Sequence, residues 1–153
     1  MFAAQLTQQL IDFIRSLREQ GILDDRFDQI KELEDENPGL VVEVLTVAIR
    51  SADFTIDELE KKLNGTVIDY SKVRELTLKL KGISASVGGC RVAAACIELR
   101  EAYVANNKER CVAGFDVVKR EYLILRENLN HILQSAVQIE REINANKPKS
   151  RRQ

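Results

Sequence analysis

VKREYLILRENLNHILQSAVQIEREI, residues 118–143, carries apolar side chains at Val118, Tyr122, Leu125, Leu129, Ile132, Ala136, Ile139 and Ile143. The steps between them alternate four and three, which places all of them on one stripe of a long α-helix. So narrow a stripe predicts a helix running nearly parallel or antiparallel to its neighbours. Its packing partner is expected within the chain's own bundle, so the protein is expected to be a monomer.

Upstream, the same period recurs between breaks. Leu6, Leu10, Phe13, Ile14 and Leu17 predict a helix over about residues 3–19, ended by Gly21. Asp24 or Asp25 can cap a second helix, whose apolar side holds Phe27, Ile30 and Leu33, with Leu23 at its entry. Asn37-Pro38-Gly39 breaks the chain. Val41, Val44, Leu45, Ala48, Ala52, Ile56, Leu59 and Leu63 then mark a long third helix, closed by Asn64-Gly65-Thr66. Asp69 or Ser71 can cap a fourth. Gly88-Gly89 divides it from a fifth, with Val92, Ala93, Cys96, Ile97, Leu99 and Tyr103. Asn106-Asn107-Lys108 precedes the last. The expected fold is all-α: six helices, an antiparallel four-helix bundle with two short N-terminal helices capping one end. We expect one domain over residues 1–146 and a flexible basic tail over 147–153.

Composition narrows the function. The chain has 153 residues, enough for one domain with a real core. Lys and Arg number 23 against 24 Asp and Glu, so gross attraction to nucleic acid or an anionic membrane is not expected. No apolar run approaches the ~20 residues that span a bilayer, and MFAAQLTQQL lacks the basic and apolar regions of a signal peptide. Cys90, Cys96 and Cys111 have neither CxxC nor zinc-finger spacing and read as reduced intracellular thiols. With His131 the one imidazole, a His-based metal cluster is excluded, and no metal or cofactor is expected. GxxxxGK[ST], GxSxG and GxGxxG are all absent. The chain is not expected to be an enzyme.

The fourth helix has an anomalous outer face. At about 100° per residue, Val73, Leu76, Ile83 and Val87 fall within about 60° of Leu80 and form its core stripe. Leu78 falls about 160° away. Its neighbours at one turn are Arg74, Glu75, Lys81 and Gly82, so a large apolar side chain projects from a charged surface. Gly82 stands where a helix former would add about 1 kcal/mol, which suggests that another molecule approaches closely there. Ala85 and Ser86 extend this low-relief area. The residues thus predict a docking face centred on Leu78, with Lys79 and Lys81 beside it. In the second helix, Leu23 and Phe27 are candidates for further apolar contact, with Phe27 read equally well as plain core.

Thr77-Leu78-Lys79-Leu80-Lys81-Gly82-Ile83-Ser84-Ala85-Ser86-Val87-Gly88 resembles the signature of the plant histidine-containing phosphotransfer (HPt) proteins, His-Gln-x-Lys-Gly-Ser-Ser-x-Ser-x-Gly. Gln20-Gly21-Ile22-Leu23-Asp24-Asp25-Arg26-Phe27 and Val41-Val42-Glu43-Val44-Leu45 resemble two further blocks of that family, in the right order. The resemblance implies six helices with a four-helix bundle. It implies partners as well: receiver domains of hybrid histidine kinases and response regulators. Lys81, Gly82, Ser84, Ser86 and Gly88 fit the signature. Leu78 stands where the family carries its phosphoacceptor histidine, Lys79 where it carries Gln, and Ile83 where it carries the first Ser.

Family members accept a phosphoryl group on an imidazole nitrogen, and leucine has no lone pair with which to do so. His131 is expected to face solvent on another helix, and Lys79 and Lys81 to be protonated, hence poor nucleophiles. The chain is therefore similar to pseudo-HPt proteins. That similarity implies a negative regulator of a cytokinin-type two-component phosphorelay, found in cytoplasm and nucleus. A bundle that serves as a scaffold without receiver binding is the competing expectation.

Overall fold

Four of the six helices start where a side chain accepts from their first free N–H groups. In the computed structural model, which describes residues 2–146, Asp24 caps Asp25–Glu34 (α2, after Phe2–Glu19, α1) by accepting from Arg26 N at 3.0 Å. Leu40–Leu63 (α3) follows a glycine, and its cap comes from the preceding helix: Glu34 accepts from Gly39 N and Val41 N. Asp69 caps Tyr70–Ser86 (α4) through Lys72 N, and Asn107 caps Lys108–Ala145 (α6) through Arg110 N. Cys90–Val104 (α5) follows directly on the Gly88-Gly89 turn. The basic tail, residues 147–153, lies outside the described residues.

Helices α3, α4, α5 and α6 pack in a closed ring, α3 on α4, α4 on α5, α5 on α6 and α6 back on α3. Short connections make successive members antiparallel. The core they share includes Leu45, Leu59, Val73, Leu80, Val92, Leu99, Val118 and Ile132. The expected six helices and bundle are thus present. One placement differs from expectation: α1 is as long as a bundle helix and does not cap the end. It lies along the second half of α6, with the Phe13 ring 4.3 Å from that of His131. Its C-terminus meets the start of α5, where Arg91 donates to Gln20 O and the Cys90 thiol donates to Gly21 O. At 38 residues α6 far outruns the 15-residue α5, and α1 continues α5's line beside the overhang.

Three side chains predicted inside are exposed: Leu33 on α2, Ile97 on α5 and Ile143 on α6. Ile143 lies beyond the start of α3, since Glu140 already sits beside Gly39. The seam therefore runs out of partners there.

A polar clasp holds α6 to α3. Arg126 grips Asp53 with two hydrogen bonds, Nε to Oδ1 at 2.8 Å and Nη2 to Oδ2 at 2.9 Å, while the Tyr122 hydroxyl donates to Oδ1 at 2.5 Å. Lys119 and Glu60 pair farther along, at 2.6 Å. Burial alone would raise the Asp53 carboxyl, but the hydrogen bonds from Arg126 and Tyr122 and the Arg126 charge hold it below its ordinary 3.8. The folded state therefore binds this proton less tightly than the unfolded chain does. The clasp's contribution is fully present above the ordinary value of 3.8 and is lost as pH falls through the lower, folded value. Asp53→Asn is expected to cost about 1 kcal/mol at neutral pH, because the clasp is partly solvent-screened. It should also flatten the acid limb of stability against pH. Urea titrations across the acid range check this; an acid limb as steep in the variant as in the parent counts against it.

Candidate docking site

The residues predicted from α4 share one surface. Leu78 is 46% exposed, and Arg74, Glu75, Lys79 and Gly82 are exposed around it, with Lys81 and Ala85 half-buried at the margin toward α5. Val73, Leu76, Leu80 and Val87 are buried as predicted, and Ile83 is half-buried against the core. Thr77 turns inward and satisfies its hydroxyl on Val73 O at 2.7 Å. Lys72 pairs with Glu75 at 3.4 Å. Arg74, Lys79 and Lys81 make no ion pair among the described residues, so three cations face outward around an apolar centre.

Gly82 is the most telling member. A Cβ built there would meet nothing within 4 Å, and its backbone is ordinary helix. Nothing in the chain's own fold requires glycine, although alanine would make the helix more stable by about 1 kcal/mol. Gly88 contrasts with it. Its φ is +81°, and an added Cβ would lie 2.9 Å from Asp24 Oδ1 and 3.1 Å from Phe27 N. Fold geometry accounts for Gly88; Gly82 points outside the molecule.

The second helix does not join this face. Leu23 is 2% exposed and Phe27 fully buried, which corrects their assignment as docking residues. The cause is tertiary. Asp24 N donates to Gly88 O at 2.9 Å, tying the α1–α2 turn onto the α4–α5 turn and holding Leu23 and Phe27 in the core. The Gln20–Phe27 block therefore maintains the scaffold behind α4.

Helix α3 supplies what the sequence reading did not select. Val47 and Phe54 are 57% and 58% exposed, and the Lys79 ammonium sits 5.8 Å from the centre of the Phe54 ring. Between the two helices runs an open groove of about 350 Å³ lined by Glu43, Val44, Val47, Ala48, Ser51, Ile83 and Ser86. Val47 and Phe54 are seven residues apart and both fall off the apolar side predicted for α3. That spacing was a legible signal of a second exposed apolar line.

Among the described residues, no imidazole stands beside Leu78. His131 is exposed on α6, as expected, and lies against Phe13 of α1. Burial pushes the Cys96 thiol up to about 12, against a weaker opposing pull from Lys81, and burial raises Cys111 as well. Among the described residues there is no cluster of three His, Cys, Asp or Glu side chains that could hold a metal ion, and no helix long and apolar enough to cross a membrane.

Taken together, fold and face define an antiparallel helical bundle with an exposed leucine ringed by cations on the outer flank of one helix. Comparison with known proteins makes the class specific. Histidine-containing phosphotransfer protein 2 of Oryza sativa subsp. japonica is 34% identical over 151 residues, covering 97% of this chain and 99% of that protein. The X-ray structure of a histidine-containing phosphotransfer protein from rice superposes with a TM-score of 0.87 at 34% identity, over 92% of this chain and 99% of the other. Pseudo histidine-containing phosphotransfer protein 5 of Oryza sativa subsp. japonica is 31% identical over 123 residues, 80% of this chain and 81% of that protein. No protein-family model matches the chain. The chain belongs to the plant histidine-containing phosphotransfer protein family of two-component phosphorelays.

Proposed function

We propose that this chain is a pseudo-phosphotransfer protein. It occupies receiver domains of hybrid histidine kinases and response regulators, accepts no phosphate from them, and so restrains a cytokinin-type relay in cytoplasm and nucleus. The observation that carries this reading is Leu78, an uncharged, non-nucleophilic side chain exposed at the centre of a face whose Gly82 the fold itself does not need. Apolar contact supplies the affinity: burying Leu78 against an apolar rim contributes up to about 1.5–3 kcal/mol. The cations Arg74, Lys79 and Lys81, without ion pairs among the described residues, speed and orient approach to an acidic receiver surface. Phosphorus chemistry ends at the receiver, because no side chain on the face can attack a phosphoaspartate.

A competition assay tests this. A competent HPt protein and a phosphorylated receiver are mixed with increasing amounts of this chain, and transfer is followed. Dose-dependent slowing without label on this chain is expected. Leu78→Asp should weaken the inhibition at least tenfold. Gly82→Gln should weaken it while leaving the melting temperature the same or higher, because the added side chain fills open space. Unchanged transfer at high excess would overturn the reading and leave a scaffold without receiver binding.

A further inference from the structure

The groove between α3 and α4 adjoins the Leu78 face but has a chemistry of its own. Val44, Val47, Ala48 and Ile83 make its walls apolar. Glu43 stands at one end. Ser51 stands at the other, and one helical turn past it on α3 lies the exposed Phe54, with the Lys79 ammonium 5.8 Å from the centre of its ring. From Glu43 to Phe54 is eleven residues, about 16 Å along the helix. The groove is therefore an apolar trough with a carboxylate at one end and, at the other, a cation free of ion pairs among the described residues. Lys79 is also pre-oriented. Its contact with the ring biases the ammonium toward the α3 side, which lowers the ordering cost of meeting a partner carboxylate there. Two positions at which the chain departs from the HPt signature lie on the α3 side of α4: Ile83 lines the trough and Lys79 stands over Phe54 just beyond it.

We propose that this trough is a specificity-determining subsite of the docking face, which takes apolar side chains of a receiver-domain segment that carries a carboxylate at the Lys79 end. The inference rests on the proposed docking function and adds the partner chemistry that the face selects. Receivers with an acidic residue there are favoured. Those with a basic residue there are rejected, because a like charge is brought against Lys79. At the opposite end Glu43 favours a cation or N–H donor. Val47 and Phe54, large side chains left uncovered in the free chain, are the apolar anchors.

The test is titration of the full chain with an isolated receiver domain, at low and high salt, with circular dichroism melting as the fold control. Val47→Asp and Phe54→Ala are each expected to weaken binding by roughly tenfold or more. Lys79→Glu should weaken it about fivefold or more, chiefly through the association rate and chiefly at low salt. Leu123→Asp, on the exposed side of α6, should leave binding unchanged. If Leu78→Asp weakens binding while Val47→Asp and Lys79→Glu stay within about twofold of the parent, the trough is idle and this inference falls, with the docking function intact. If Val47→Asp acts and Lys79→Glu does not, the carboxylate assignment is overturned. If the parent chain binds no receiver, the proposed function itself fails.

Discussion

A chain carrying Leu78→His, Lys79→Gln and Ile83→Ser is expected to become labelled when incubated with a phosphorylated receiver, whereas the parent stays unlabelled. The label should be acid-labile and base-stable, as a phosphorylated imidazole is. The change is from no transfer to transfer, because the parent lacks a nucleophile rather than having a slow one. Leu78 points outward at 46% exposure, so an imidazole there reaches solvent and an incoming aspartyl phosphate. Lys81, one turn on and half-buried, is placed to neutralise charge developing on the phosphoryl oxygens. Gly82 leaves open space above the site. Leu78→His alone separates the contributions: label on the single variant assigns the loss of function to one side chain, and label on the triple variant alone assigns part of it to the trough-side changes. A triple variant that folds and binds receiver yet takes no label would show that the phosphotransfer surroundings are not preserved around Leu78.

Phe27→Ala is expected to cost about 3–5 kcal/mol of folding free energy through the cavity it leaves. That is a large share of the roughly 5–15 kcal/mol that hold a domain together. Phe27 is fully buried in the main core cluster, and its own backbone N–H lies against the Gly88 turn. For a chain of this size the melting temperature should fall by roughly 6–20 °C. Receiver affinity of the folded fraction should stay close to that of the parent. Were Phe27 a docking residue, the balance would invert, with little change in melting and a clear loss of binding. Calorimetry and receiver titration on the same sample decide between the two.

These experiments follow the division between what periodicity shows and what packing adds. The wheel of α4 placed Leu80 inside and Leu78 outside from spacing alone, and both are so placed. Asp24 and Asp69, two of the acceptors named as caps, do cap their helices. Periodicity placed Leu23 and Phe27 on the apolar side of α2 but left open whether that side meets the core or a partner, because a short helix with few apolar residues does not reveal what lies over it. It also assigned Ile97 and Leu33 to buried sides from their spacing, although neither has a neighbour to bury it. Val47 and Phe54 escaped selection because each reads singly as an ordinary exposed hydrophobe. Their meaning depends on Ile83 and Lys79, which lie across a helix boundary.

The order of turns and caps, the inner and outer sides of α4, and the absence of any nucleophile at residue 78 were decided by the sequence itself. Helical periodicity is local, and the reactivity of a side chain is a property of its atoms. The burial of Leu23 and Phe27, the course of α1 beside α6, and the joining of Val47, Phe54, Lys79 and Ile83 along one trough were decided only in three dimensions. They depend on contacts between residues far apart in the chain, Asp24 with Gly88 and Asp53 with Arg126 among them. No repeat of three or four residues encodes which helix will lie against which.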